Sequence, residues 1–167
     1  MRTITGIVVL ISAAIFLSAC SASSSSAKKE KAAADFENTA TLIESGSFLF
    51  TARSASPAGG KTIQLTSPYT LKAKEGKYEA YLPYFGRAYS GGYGDSGGIE
   101  FNGEPEDLQV SRNDNKSSIS VGFTIQTDKD KYTVKLNVGS SGYGNLVISS
   151  QKRQTITYSG LAGALDD

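Results

Sequence analysis

The chain has no histidine and no tryptophan, and a single cysteine, Cys20, in 167 residues. Each shortage closes off chemistry. Without histidine there is no Ser-His-Asp or Cys-His catalytic arrangement, no imidazole metal ligand, and none of the commonest general base. With one cysteine there is no internal disulfide, so the fold rests on its hydrophobic core. Charge of either sign is also lacking in excess: 17 Lys and Arg stand against 16 Asp and Glu. That balance argues against a nucleic-acid partner, which requires a basic surface. Long apolar runs are absent beyond the first twenty residues, so no transmembrane helix is expected.

What is present begins at the N-terminus. Arg2 supplies a short positive region, Ile7 to Leu17 an apolar stretch, and Leu17-Ser18-Ala19-Cys20 a small-residue exit. This is the layout of a secretory signal, too short for a membrane span. Leu-Ser-Ala-Cys also resembles the lipobox of bacterial lipoproteins. The resemblance implies cleavage before Cys20 and lipid on its thiol, and two or three acyl chains suffice for stable anchoring. The expected organisation is a signal peptide at 1–19, a lipidated Cys20 with a flexible tether to residue 31, one β-rich domain at 32–161, and a tail at 162–167. The tether reading rests on the polar, low-complexity run Ser21 to Lys31. Lys28, Lys29 and Lys31 serve solubility there, or rest on anionic headgroups. Serines rather than acids follow Cys20, which favours the outer membrane's periplasmic face as the location.

Ala32 to about Glu44 reads as a helix, with Phe36, Ala40 and Ile43 on one face and Asp35 and Glu37 early in it. Ser45-Gly46 is a plausible stop. From Phe48 the apolar period becomes two. Phe48/Phe50/Ala52, Tyr78/Ala80/Leu82, Leu108/Val110, Ile119/Val121/Phe123/Ile125 and Tyr132/Val134/Leu136/Val138 alternate with polar or small residues, and Leu146 to Ser150 and Thr155 to Tyr158 complete the series. Half-buried antiparallel strands read this way. Turn-rich links such as Lys74-Glu75-Gly76-Lys77 and Asp128-Lys129-Asp130-Lys131 separate them. The expected fold is mainly β within an α+β class: an antiparallel meander from about Glu106 to Ser159, curled into a sandwich or an incomplete barrel, with one N-terminal helix packed on it.

Residues 81–101 stand apart. Six glycines lie between Gly86 and Gly98, interleaved with tyrosines, Arg87 and Asp95. Gly94-Asp95-Ser96-Gly97-Gly98 has the letters of a serine-protease nucleophile loop, but no histidine exists to activate Ser96. A phosphate loop fails because no Gly-Lys-Ser/Thr follows. Two readings stay open. In one, Tyr84, Arg87, Tyr89 and Tyr93 form a binding surface: the tyrosines stack on sugar rings or line an apolar groove, and Arg87 holds a carboxylate or phosphate. In the other, Tyr84 and Phe85 plug one end of the barrel while the glycines permit tight turns. Tyr143, in Gly142-Tyr143-Gly144, repeats the theme and is expected at the same end of the domain.

Leu82-Pro83-Tyr84-Phe85-Gly86-Arg87-Ala88-Tyr89 followed by Gly97-Gly98-Ile99-Glu100-Phe101 resembles the signature of an uncharacterised lipoprotein family of gut-associated Bacteroidetes-type bacteria, a domain of unknown function numbered four-two-five-one. Phe50-Thr51-Ala52 with Pro57, and Thr157-Tyr158-Ser159-Gly160, support it over about Thr39 to Leu161. The resemblance implies a β-rich envelope lipoprotein and carries over no catalytic residue.

Carboxylate pairs alone support glycoside hydrolysis without histidine, and Glu79 with Glu100 is the candidate pair. Glu104, Glu106 and Asp107 form an acidic cluster without a calcium-loop pattern, and Asp128 and Asp130 flank a hairpin turn. The expectation is a non-catalytic binding or accessory module without cofactor or metal, held on the membrane through Cys20, with an envelope protein or a glycan as partner. A structural protein working through sheet edges is the alternative, and a carboxylate-dependent hydrolase the remaining one.

Overall fold

The computed structural model describes residues 23–87, 89 and 97–165. Among the described residues, those up to Ala34 form one compact unit and those from Asp35 onward a second, which holds the sheet. Residues 1–19, read as a signal peptide, together with Cys20, Tyr93 and the last two residues, lie outside the described residues.

Helix α1 spans Ser23–Glu44. It starts within the run read as a tether, so residues 23–31 are helical rather than coil. Ala27, Lys28, Lys29, Glu30, Lys31 and the following alanines are all strong helix formers; composition masked that propensity. The early start also places Asp35 and Glu37 in the helix middle, away from the first turn, which contains no acid. No described helix is long and apolar enough to cross a membrane. The expected apolar face is present: Phe36, Ala40 and Ile43 are buried against the sheet. The helix ends at Ser45-Gly46, where Gly46 takes φ +67° and its N–H donates to the Ile43 carbonyl.

Nine strands follow: β1 Phe48–Pro57, β2 Ile63–Lys74, β3 Lys77–Leu82, β4 Ile99–Gly103, β5 Glu106–Asn113, β6 Ser118–Gln126, β7 Lys131–Gly139, β8 Tyr143–Ser150 and β9 Ile156–Gly163. They make one antiparallel sheet in the order β4-β3-β2-β1-β9-β8-β7-β6-β5. The expected meander is β5 to β9; β9 then pairs with β1, joining it to a second meander, β1 to β4. Of the two architectures left open, the sheet is the incomplete barrel. The edges β4 and β5 do not pair among the described residues, so the curl stops short of closure.

The curl is visible in the core. Aromatic rings run from Phe48 on β1 to Tyr78 on β3, then Phe123 on β6, Phe101 on β4 and Tyr132 on β7, with successive centroids 4.3–6.3 Å apart. Strands distant in the sheet order therefore face each other across the concave side. Helix α1 adds Phe36 and Ile43 there, and a fully buried side chain of that size contributes about 1.5–3 kcal/mol. Arg112 on β5 ties the helix down, lying over the Phe36 ring and pairing with the Glu37 carboxylate through both terminal nitrogens. Thr39 donates its hydroxyl to the Ser140 carbonyl.

Two strands departed from the alternation. In β2, Ala52 pairs with Tyr69 but Ser54 pairs with Gln64, so four residues, Leu65 to Pro68, bulge opposite Arg53. Proline suits such a bulge, and the broken alternation hides the strand from a period-two reading. In β5 every residue is exposed, Leu108 and Val110 included. The half-buried strand expected there is corrected to an exposed one: it lies at a sheet edge, paired with β6 alone among the described strands.

Candidate functional site

The 83–98 excursion joins β3 to β4, and its ends meet where Leu82 pairs with Ile99. A side chain at Gly98 would lie 2.2 Å from the Leu82 carbonyl oxygen, so glycine is required at this closure. The first half of the excursion is strapped onto the β8–β9 turn. Tyr89 N–H donates to the Lys152 carbonyl at 2.7 Å, and Gln154 N–H to the Arg87 carbonyl at 3.0 Å. Tyr158, fully buried, donates its hydroxyl to the Pro83 carbonyl at 2.7 Å. Burial pushes the Tyr158 phenol above its ordinary range, so it stays protonated and able to donate.

Tyr84 is the keystone of the strap. Its hydroxyl lies 2.9 Å from the Arg87 carbonyl and 3.0 Å from the Gln154 carbonyl. Burial raises its pKa, with the hydrogen bond to Gln154 partly opposing. A Cβ at Gly86 would sit 2.4 Å from the Tyr84 hydroxyl, so the ring tucks back only because Gly86 is bare. Arg153 closes the other side. Its guanidinium lies 5.1 Å from the Tyr84 ring centroid and donates to the Gly97 and Gly98 carbonyls at 2.9 and 3.1 Å. Buried at 8% exposure, it holds both ends of the glycine-rich excursion. Sequence reasoning placed Arg153 in a turn and gave it no role; nothing local to Gln151-Lys152-Arg153 signals it.

The two open readings of the segment thus divide by residue. Tyr84 is structural, as is the backbone of Arg87 and Tyr89. The side chains of Phe85, Arg87 and Tyr89 are exposed. Phe85, Gly86 and Arg87 form one wall of a groove of about 420 Å³, with Pro57 to Gly60 opposite and Gln154 between. Both walls are fixed to the same turn, since Ala58 N–H donates to the Thr155 carbonyl. Tyr143 is exposed but does not join them. It begins β8, whereas the strap docks beyond the end of that strand, about 24 Å away along eight residues. The expectation that it covers the same end is overturned, because the intervening strand separates the two tyrosine-glycine stretches.

Glu79 and Glu100 are both exposed on adjoining strands, with Glu79 opposite Asn102 and Glu100 opposite Tyr81. They are diagonal neighbours on an outward ladder, about 7–8 Å apart at the backbone. Glu79 lines a shallow depression of about 200 Å³ with Lys72, Lys74 and Lys77, which does not include Glu100. Glu106 pairs with Lys131 at 3.0 Å. Asp130 is buried and builds the β6–β7 turn: its Oδ1 accepts from the Lys131 N–H and its carbonyl from Thr127.

An antiparallel half-barrel carrying one helix, with a long strapped excursion between its third and fourth strands, defines the class. The chain belongs to the family described as domain of unknown function DUF4251, whose model matches residues 30–162. It is similar in fold to a DUF4251 family protein from Bacteroides eggerthii, with a TM-score of 0.61 at 18% identity, covering 79% of this chain and 89% of that one. No curated protein matches the sequence.

Proposed function

We propose that this protein is a non-catalytic binding or accessory module of the cell envelope, anchored through lipid on Cys20 at the periplasmic face of the outer membrane. The observation that carries the binding role is the groove beside Phe85 and Arg87. Its wall is held by Tyr84, Arg153 and Tyr158, so exposed side chains stand on a preorganised frame, which lowers the entropic cost of binding. Phe85 offers apolar contact and Arg87 a fork for a carboxylate or phosphate. Glu79 and Glu100 face outward on adjoining strands, and the depression beside Glu79 does not include Glu100, which supports the binding reading over hydrolysis by this pair.

The test is crosslinking in intact cells followed by pull-down, comparing lipidated wild type with Phe85→Ala/Arg87→Ala. The reading expects loss of one or more partners from the variant; identical partner sets would remove the groove as a contact surface. A second reading, contact through a sheet edge, is favoured by β5, whose eight residues are all exposed beside an unpaired edge. Lysine at Leu108 would then remove partners that the groove variant keeps.

A further inference from the structure

The outward faces of the sheet's two halves differ in charge. On β2 to β4 they carry Lys72, Lys74, Lys77, Glu79 and Glu100. On β5 to β9, a row crossing the strands reads Ser111, Ser120, Asn137, Asn145 and Ser159, each directly opposite the next. The adjoining row reads Gln109, Gly122, Lys135, Val147 and Thr157. Lys135 is the one charge in these two rows. Within the first, the Asn137 amide donates to the Ser120 hydroxyl and the Ser159 hydroxyl to the Asn145 amide oxygen, both at 2.8 Å. These bonds fix the amides and leave each further donor and acceptor capacity.

A depression of about 330 Å³ lies over both rows, between Gln109, Ser120, Gly122, Lys135, Asn145 and Val147. It owes its depth to Gly122. A side chain there would meet nothing within 4 Å, and the backbone is not in the left-handed region. Glycine weakens a strand interior, and neither packing nor φ requires it here. What its absence of side chain provides is surface shape.

We propose that this depression binds an uncharged oligosaccharide, with one sugar ring over Gly122 and its hydroxyls met by Gln109, Asn137 and Asn145. Charge selects the class of occupant. Anionic lipids and nucleic acids need several cations, and one lysine does not supply them. A protein partner, a second copy included, needs aromatic or arginine anchors around an apolar centre, and neither row has any. A sugar presents a C–H face and hydroxyls that both donate and accept. A small apolar floor with amides and hydroxyls around it, and Lys135 as its one charge, complements both. The site stands independently of the Phe85–Arg87 groove.

The test is titration of the full chain in detergent micelles with neutral hexasaccharides of β-linked glucose, α-linked glucose and α-linked mannose, and with hexagalacturonate as the acidic control, followed by amide chemical shifts. At least one neutral sugar is expected to shift Gly122, Asn137 and Asn145. Gly122→Val, whose Cβ would meet nothing within 4 Å, and Asn145→Ala should each weaken binding about tenfold or more. Lys72→Ala, on the outward face of the other half of the sheet, should bind as wild type does. Failure of every neutral sugar to shift these amides, equal binding by Gly122→Val, or equal binding of hexagalacturonate overturns the proposal. So does protection of the face by a second copy, seen as concentration-dependent shifts without sugar.

Discussion

Tyr158 and Tyr84 carry the strap through single hydroxyl protons. Removing the Tyr158 hydroxyl leaves the Pro83 carbonyl without its donor. Tyr158→Phe is therefore expected to lose about 1–2 kcal/mol in urea unfolding. The same phenols set an alkaline limit. Burial raises the pKa of Tyr158, Tyr84 and Tyr78 in the folded protein, so the unfolded chain gives up these protons first. Stability is fully present below the unfolded phenol value of about 10 and is lost as pH rises through the folded values. Thermal unfolding between pH 8 and 11 should show a fall confined to the alkaline end, smaller in Tyr158→Phe; a fall beginning near neutrality would contradict this. At this scale the sequence was partly legible. Tyr158 closed the series of strands and Tyr84 stood out in the glycine-rich segment, but their roles depend on Pro83, Arg87 and Gln154. Those partners lie up to 75 positions away, and no local pattern encodes the pairing. Arg153 was illegible for the same reason.

Among the elements, the seam between β1 and β9 decides whether two meanders become one sheet. Gly160 is a close approach in that seam: a Cβ there would lie 2.1 Å from the Thr51 carbonyl oxygen and 2.9 Å from both Ala52 Cα and the Phe50 ring. Gly160→Ala should destabilise by about 3 kcal/mol, since backbone must move to admit the methyl. Gly122→Ala, on the open face, should change stability by about 0.5 kcal/mol or less. Equal effects in chemical denaturation would show that the seam is not close-packed. Strands with a clean period of two, β6 and β7 above all, were legible because each buries one face. β2 was not, because the bulge at Leu65 to Pro68 breaks its alternation; β5 was legible as a strand, but edge exposure removes the burial that its alternation implies. The helix start at Ser23 was missed because a serine- and lysine-rich composition suggests a linker even where its residues favour helix.

For the whole molecule, helix α1 begins at Ser23, within the run read from composition as a coil. A helix of 22 residues spans about 33 Å. On the proposed anchoring, Cys20→Ser should move the protein from the membrane pellet to the soluble fraction without altering its unfolding curve; retention in the pellet would sink the lipid-anchor reading. Separation of frame from contact surface tests the account most directly. Unfolding free energy and partner capture should be measured side by side for Tyr84→Phe and Arg87→Ala. Tyr84 braces two carbonyls, so Tyr84→Phe is expected to lose about 1–2 kcal/mol. Arg87→Ala should unfold as wild type does and lose captured partners. The contradicting result is the reverse pattern: full capture by Arg87→Ala together with unchanged stability in Tyr84→Phe.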